Sequence, residues 1–210
     1  VTACMQMPSS EIRDVGPVRI QGQNSDGEEV PMMDMQIIDP DFIEMMGIEM
    51  LAGENFTKNE ILGKPPVYNE ELTPQRYLNE TPRKYLINET AMKQLGWKNP
   101  TDAIGQHINW SIGNFQLASG PVTGVIKDYH QESLRNEVDP LVLTVEPAWM
   151  SNILVKVETK NLEKTIASIE KIWSDLFPYT LEYAFLDELF NKLYQQDRVQ
   201  LKLLSILSFL

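Results

Sequence analysis

The last third of the chain combines a strand, a helix and a second strand in an order that restricts its fold. Ile153–Val157 is rich in β-branched residues, and the apolar residues after Asn161 recur at spacings of 4, 3, 4 and 3 as far as Leu176. This spacing places them on one face of a helix, which Pro178 ends. Alternating apolar residues in Thr180–Phe185 predict a second strand that returns to the same sheet. The order predicts an α+β fold, with helices covering one face of a sheet.

Two earlier segments also place a strand before a helix. Val30–Ile38 predicts a strand, and the short helix that follows it ends at Gly47. Tyr85–Ile87 predicts another strand, followed by a helix that Asn88 caps and Gly96 ends. Two further strands are predicted from β-branched residues, over Val122–Ile126 and Leu141–Val145.

A polar segment separates these two units and predicts a division of the chain into two lobes. Thr57–Lys84 contains four prolines and no apolar periodicity, which indicates a long surface excursion and a subdomain boundary. The early strand and helix are expected to pair with the late ones. The predicted parts are one lobe of residues 1–60 and 147–200, an inserted lobe of residues 61–146, and a separate terminal segment of residues 201–210.

Both ends of the chain carry segments that bear on membrane attachment. Residues 201–210, LKLLSILSFL, are apolar except for one lysine and two serines, whereas a membrane-spanning helix needs about 20 residues. The segment is therefore either the first half of a transmembrane helix or an amphipathic helix packed on the domain. At the other end, small residues precede Cys4, as they do in bacterial lipoproteins. One function that the sequence allows is therefore a free-standing periplasmic binding lipoprotein anchored at Cys4.

The charge and the metal-binding residues exclude some functions. The net charge of −12 and the pI near 4.6 oppose binding to nucleic acid. One cysteine and two histidines are too few for a conventional structural zinc site. Phosphate-loop, serine-hydrolase and zinc-protease motifs are absent from the sequence. The sequence therefore predicts a protein that is not an enzyme.

One segment does combine residues that could perform chemistry. Asp128, His130 and Glu132 alternate in KDYHQES, so an extended chain would place all three on one side. Such a group could bind a metal ion in a hydrolase or act as a general base. A solvated strand edge gives the same pattern, and this structural interpretation is favoured. His107, in GQHINW, is predicted to be an exposed strand residue.

Methionine is concentrated near the start of the chain, where eight of the ten methionines lie in the first 50 residues. Their thioethers could bind Cu(I) or Ag(I), fill a core, or line an adaptable apolar groove. Core filling is the favoured interpretation.

Several segments together resemble a known family. These are YLINETAMKQLGW, NPTDAIGQHI, GPVTGVIKDYHQESLRNEVDPLVL and FLDELFNKLYQQD, with IIDPDFIEMMGIEMLAGENF near the start. Their order and spacing resemble the extracytoplasmic core domain of FtsX/MacB-type ABC transporter permeases, in the form common in Bacteroidetes. The resemblance covers nearly the whole chain and is strongest from Tyr85 to Leu210.

The resemblance implies an architecture, a location and a set of partners. In that family the domain lies between the first two membrane helices of an inner-membrane permease and faces the periplasm. It has a porter-like lobe built from both chain ends and an inserted, smaller sabre-like lobe. Permeases of the family form dimers, bind a cytoplasmic ATPase and use ATP-driven motion on substrates or adaptors in the periplasm. The family domain carries no catalytic centre and no cofactor.

The resemblance also implies roles for particular residues. Residues 201–210 would be the start of a transmembrane helix, and the helix that leads into it would act as a coupling lever, with the apolar residues Leu189, Phe190, Leu193 and Tyr194. Structural positions of the family motifs correspond to Asn88, Glu89, Gly96, Gly105, Asp128, His130 and Pro140. The segment from Thr57 to Lys84 is longer than the family pattern.

Overall fold

The computed structural model describes residues 1–22, 29–61, 66–131 and 136–192, and its secondary structure is mixed α and β. The strands are β1 (Thr2–Cys4), β2 (Val15–Ile20), β3 (Met32–Ile37), β4 (Met50–Gly53), β5 (Tyr85–Asn88), β6 (His107–Ile112), β7 (Phe115–Gln116), β8 (Gly120–Ile126), β9 (Leu141–Thr144) and β10 (Asn152–Leu154). The α-helices are α1 (Phe42–Met46), α2 (Pro74–Glu80), α3 (Glu89–Gln94), α4 (Pro100–Ala103) and α5 (Leu162–Leu176).

Most strands belong to one sheet, in the order β4-β8-β5-β9-β3-β2-β6-β7. An additional pairing between β8 and β6 closes six of its strands into a ring. β8 makes this possible because its first residues pair with β6 and its later residues pair with β4 on the same side. The other two described strands, β1 and β10, form a separate antiparallel pair.

The central strands β5 and β9 are buried on both faces, which explains their uninterrupted apolar sequences. On one face, Tyr85 and Ile87 join a core with Trp110. On the other face, Leu86 and Leu143 join a second core that includes residues of α1 and β1. The two apolar clusters lie on opposite sides of the same strands, so β5 and β9 position the helices that pack on either face of the sheet.

Two glycines allow close packing of the backbone around the ring. A Cβ atom on Gly16 would lie 1.9 Å from the carbonyl oxygen of Ser111 on β6, and one on Gly120 would lie 2.0 Å from the carbonyl oxygen of Arg83. Any larger residue would have to push backbone apart at these positions. Ring closure therefore depends on residues without side chains.

The structure confirms most of the predicted elements. The predicted strands over 30–38, 85–87, 122–126 and 141–145 correspond to β3, β5, β8 and β9. Gly47 and Gly96 both adopt positive φ at the ends of α1 and α3, and α5 has the predicted extent. The strand predicted over 153–157 is shorter and is observed as β10.

The sequence of the polar segment Thr57–Lys84 predicts a long surface excursion, but part of this segment is helical. It contains α2, where the Thr73 hydroxyl accepts a hydrogen bond from the Arg76 amide at 3.2 Å and Pro74 occupies the first turn. Leu78 is the buried residue of this helix. A helix is recognised in a sequence from apolar residues that recur every three or four positions. Because α2 buries one residue, its sequence lacks this pattern and the helix was missed.

The strand predicted over 180–185 was wrong, because these residues carry no strand assignment in the structure. Alternation of apolar residues produces a strand only where a neighbouring strand offers its hydrogen-bonding edge. The following helix was predicted correctly, since residues 186–192 are helical and the Leu189 amide donates to the Phe185 carbonyl at 3.1 Å.

The chain divides into two compact units, Val1–Leu154 and Val155–Leu210. This division differs from the predicted lobes of residues 1–60 with 147–200 and residues 61–146. The reason is hydrogen bonding: β3 pairs with β9, and β2 pairs with β6, so the two predicted lobes share one sheet. The expected pairing of the early strand with the late one was wrong, because β3 pairs with β2 and β9, while β10 pairs with β1 at the start of the chain. The assignment of porter-like and sabre-like lobes stays a prediction.

Candidate functional site

Asn88 joins three parts of the fold through its buried side chain. Its Oδ1 accepts hydrogen bonds from the amides of Ala91 and Leu141, each at 2.9 Å. Its Nδ2 donates to the Asp139 carbonyl at 2.9 Å. Asn88 is thus both the N-cap of α3 and a link from β5 to the start of β9. Asn88 is fully buried, so these bonds satisfy polar groups that water does not reach.

Asp128 holds the first turn of α3 from the side of β8. Its carboxylate accepts hydrogen bonds from the Thr90 amide at 3.0 Å and the Thr90 hydroxyl at 2.9 Å. The Asp128 amide donates to Glu89 Oε2 at 3.4 Å. An acidic group near a helix N-terminus is favourable. Asp128 and Glu89 therefore work as structural residues at one end of α3.

His130 does not take part in this arrangement. It is exposed and lines an open cleft of about 420 Å³ together with Lys127 and Asp128. Lys127 forms an exposed ion pair with Glu49, with the Nζ and Oε2 atoms 2.9 Å apart. Glu132, the third residue of the predicted alternating group, lies outside the described residues.

The other histidine and possible metal ligands also lack a common site. His107 is an exposed residue at the start of β6, as predicted. Among the residues that the structure describes, no group of three or more His, Cys, Asp or Glu side chains is arranged to hold a metal ion.

The remaining motif positions shape turns around α3 and β8. Gly96 and Gly105 have φ angles of 85° and 82°, a backbone conformation that favours glycine. The Gly105 amide donates to the Val122 carbonyl at 2.9 Å. The Pro140 carbonyl accepts from the Asp34 amide at 2.9 Å. These residues fix the connections of the sheet, which is a structural role.

Cys4 is fully buried in the second apolar core. Burial and the nearby charge of Asp39 raise the pKa of its thiol to about 12. The residues before it are also engaged, because Thr2 and Ala3 both donate hydrogen bonds to the Asp39 carboxylate. A lipid attached to this sulfur would have to leave the core, so the geometry disfavours Cys4 as a membrane anchor.

The proposed lever is described only in part. Leu189 and Phe190 lie in the helical residues 186–192 and are half-buried. Leu193, Tyr194 and the apolar segment 201–210 lie outside the described residues. Within the described part of the chain, no helix combines the length and apolar character that a membrane span requires.

Most of the methionines lie in the apolar cores or pack at their edges. Met33 and Met35 on β3 are fully buried, whereas Met7, Met45 and Met46 pack at the edge of the second core and remain partly accessible. The interpretation that methionine fills the core is confirmed for Met33 and Met35, whereas Met32 on the same strand is 50% exposed. Met46 also lines the cleft beside His130.

A buried ion pair was missed by the sequence reasoning. Arg83 Nη2 lies 2.7 Å from Glu146 Oε2, and each side chain is only 3% exposed. Arg83 lies in the polar segment Thr57–Lys84, and Glu146 directly follows the strand predicted over Leu141–Val145. The only available signal was that each residue lies within two positions of a predicted apolar strand.

The unit from Val155 onward carries an aromatic cluster near the end of α5. The ring centroids of Trp173 and Phe177 are 4.4 Å apart, and those of Phe177 and Tyr179 are 5.6 Å apart. Trp173 Nε1 donates to the Tyr179 carbonyl at 2.8 Å. The cluster therefore folds the chain back directly after the helix.

Comparisons with known proteins give a distant structural likeness. No family model matches the sequence, and no curated protein matches it. A domain of a protein assigned as a permease, from Porphyromonas gingivalis, is similar with 14% identity and a TM-score of 0.44 over 90% of this chain and 80% of that one.

Two further solved structures are similar, each with 13% identity. The extracellular domain of the noncanonic ABC-type transporter YknZ from Gram-positive bacteria has 13% identity and a TM-score of 0.45, covering 78% of this chain and 75% of that one. The periplasmic region of MacB from Actinobacillus actinomycetemcomitans has 13% identity and a TM-score of 0.36, covering 79% and 68%.

Proposed function

We propose that the chain is a non-catalytic extracytoplasmic domain of an ABC transporter permease of the FtsX/MacB type. In this role it faces the periplasm and passes ATP-driven motion of the membrane helices to a substrate or an adaptor protein. Its partners are a cytoplasmic ATP-binding subunit and a second copy of the permease.

The observation that carries the proposal is the cluster of hydrogen bonds around α3. The segments that resemble the family most closely are far apart in sequence, yet Asn88 bonds to Asp139 and to Leu141 at the start of β9, and Asp128 bonds to Thr90. These bonds explain why the motif residues occur together, because they hold α3 against the ends of β8 and β9. The Asp128 carboxylate binds the amide and hydroxyl of Thr90, which supports a structural role for Asp128.

The location can be tested by labelling single cysteines in intact cells. The full-length parent protein would carry Cys4→Ala and either Lys98→Cys in the first unit or Lys171→Cys in the second. Both lysines are exposed. A membrane-impermeant maleimide is expected to label both positions in spheroplasts as fully as in lysed cells.

A cysteine placed in a cytoplasmic loop of the same protein is the control, and it should react only after lysis. Labelling of Lys98→Cys and Lys171→Cys that also requires lysis would contradict the proposal.

The coupling lever is the finer part of the proposal. Leu189 and Phe190 are half-buried in the helical residues 186–192, and Leu193 and Tyr194 follow at helical spacing in the sequence. An apolar helix face that stays packed can transmit displacement as a rigid element. We propose that these four residues join the domain to the membrane helix.

A further inference from the structure

Two chain segments line the open cleft beside His130. They are residues 46–49 and residues 127–130, and the cleft that they line has a volume of about 420 Å³. The segments are joined to each other, because the Lys127 amide donates to the Glu49 carbonyl at 2.8 Å and the side chains of these two residues form an ion pair. This bonding continues the antiparallel pairing of β4 and β8 by one residue. The sheet therefore fixes the position of both segments.

The cleft brings a thioether and an imidazole to one place. Met46, the last residue of α1, is half-buried, and His130 is exposed. Both residues line the cleft. Among the residues that the structure describes, none forms a hydrogen bond or an ion pair with the His130 imidazole. Both side chains are therefore available to a ligand in the cleft.

The carboxylates that line the cleft already have partners. Glu49 pairs with Lys127, and Asp128 accepts hydrogen bonds from the amide and hydroxyl of Thr90. A hard cation such as Mg²⁺ or Ca²⁺ needs several oxygen ligands, and within the described ranges no group of three or more His, Cys, Asp or Glu side chains is arranged to hold a metal ion. A thioether, by contrast, selects soft ions, and imidazole also binds copper. The chemistry of the available side chains favours a soft ion.

The Met46 sulfur can turn toward an ion without disturbing the core. Phe42 and Ile43 anchor α1 and are buried, whereas Met46 packs at the edge of the second apolar core. Methionine is unbranched and has three rotatable side-chain bonds, so it adapts to irregular surroundings. The backbone therefore positions Met46 at the cleft while its sulfur stays free to reorient.

We propose that Met46 and His130 form a binding site for Cu(I), in which the thioether sulfur and one imidazole nitrogen each donate an electron pair to the ion. Cu(I) accepts low coordination numbers, so these two side chains with a water molecule suffice. A bound ion ties the end of α1 to the chain that follows β8. Ag(I) has the same charge and a similar preference for soft ligands. Because air does not oxidise it, Ag(I) is a convenient probe of the same site.

Titration of the 210-residue chain with silver nitrate in chloride-free buffer tests this site. Calorimetry should show saturable binding of one Ag(I) per chain at micromolar protein concentration. In protein labelled with ¹³C at the methionine methyl groups, the Met46 resonance should shift in step with binding. Cu(I), supplied as its acetonitrile complex in anaerobic buffer, should shift the same resonance.

Two variants that each remove one ligand atom should weaken Ag(I) binding at least about tenfold. They are Met46→Leu, which conserves side-chain volume, and His130→Gln at an exposed position. The titrations are repeated with Cys4→Ala in the background, because Cys4 is the one thiol of the chain and thiolates also bind soft ions. The same losses are expected with and without this thiol.

A matched pair of controls uses an accessible methionine and an exposed histidine elsewhere. Met32 lies on β3 and His107 on β6, and these strands are not neighbours in the sheet. Met32→Leu and His107→Gln should leave the affinity within about twofold of the unmodified chain, and millimolar Mg²⁺ should not displace Ag(I).

Several results would overturn the proposal. They are a lack of saturable Ag(I) binding, a Met46 resonance that does not respond to Cu(I), unchanged affinity in Met46→Leu or His130→Gln, and losses of equal size in the control variants. Displacement of Ag(I) by Mg²⁺ would also overturn it, because it would assign the ion to the carboxylates. Binding to the purified chain does not depend on the proposed transporter role, so failure of either proposal leaves the other standing.

Discussion

At the residue scale, Asn88 is the most consequential polar side chain near α3. Its cap on α3 is a local interaction, between residues three positions apart, and the sequence predicted it. Its bonds to Asp139 and Leu141 span 51 and 53 positions. Nothing in the local pattern distinguishes an asparagine that makes only a cap from one that also holds a second strand.

Replacement of Asn88 with alanine should lower the free energy of unfolding by about 3 kcal/mol, because it leaves two buried amides and one carbonyl without partners. Urea denaturation of the 210-residue chain measures this change. Asn99→Ala is the matched control, since Asn99 caps α4 in an exposed position, and it should cost about 1 kcal/mol. Equal effects for the two variants would show that the long-range bonds contribute nothing.

The thiol of Cys4 provides a second test at this scale. Because burial and Asp39 raise its pKa to about 12, the thiolate fraction at pH 8 should be about 1 in 10⁴. Labelling by a maleimide in the native protein should be far slower than in urea, and it should rise with pH up to about 12. Equal rates in native and denatured protein at pH 8 would contradict the buried position.

The burial of Cys4 could not be read from its sequence context. Small residues before a cysteine are compatible with a lipid-modified terminus and with a short strand alike. The deciding contact is the pairing of β1 with β10, about 150 positions away, which places Cys4 opposite Asn152.

At the element scale, the predictions succeeded where a single element contains its own signal. α5 was recognised from its apolar period and α1 from its terminal glycine. The strands β1, β2 and β4 were missed, because each is defined by its partner in the sheet. Closure of the ring was also beyond reach, since it depends on β8 pairing on one side with two different strands.

Ring closure predicts a strong effect of one added methyl group. In Gly16→Ala, the new Cβ would meet the Ser111 carbonyl oxygen, and separating β2 from β6 should cost about 3 kcal/mol in the free energy of unfolding. Thermal and urea denaturation measure it. Gly113→Asn is the control, because Gly113 has positive φ and open space around it, and its cost should be below about 1 kcal/mol. Similar losses in both variants would refute close packing at Gly16.

The helical residues 186–192 lead to a prediction about coupling. Leu189→Asp places a charge on a half-buried apolar position and should weaken the packing of this helix. If the parent protein is the proposed permease, ATP hydrolysis by the complex reconstituted with its ATPase should continue while ATP-dependent transport or signalling falls at least tenfold. Glu188→Gln, at an exposed neighbouring position, is the control and should retain coupling. Full coupling in a well-expressed Leu189→Asp variant would exclude this lever.

At the scale of the whole molecule, the two compact units have different kinds of stabilisation. Residues Val1–Leu154 contain both apolar cores and the closed ring. In the second unit, α5 has no buried residue, and Ile172 and Leu176 are 60% and 68% exposed. The boundary near residue 154 could not be predicted from the sequence. Local composition indicated a boundary near residue 60, whereas strand pairing joins residues 1–60 to residues 61–146 in one sheet.

The central claim is that this domain belongs to a membrane permease driven by a cytoplasmic ATPase. The most direct test is to purify the tagged parent protein from detergent-solubilised membranes of its native host and to assay the preparation for ATP hydrolysis. The account predicts recovery from the membrane fraction together with an ATP-binding subunit, and vanadate-sensitive hydrolysis that is lost when that subunit is removed. Recovery of the parent protein from the soluble periplasm, or from membranes without any ATP-binding subunit, would contradict it.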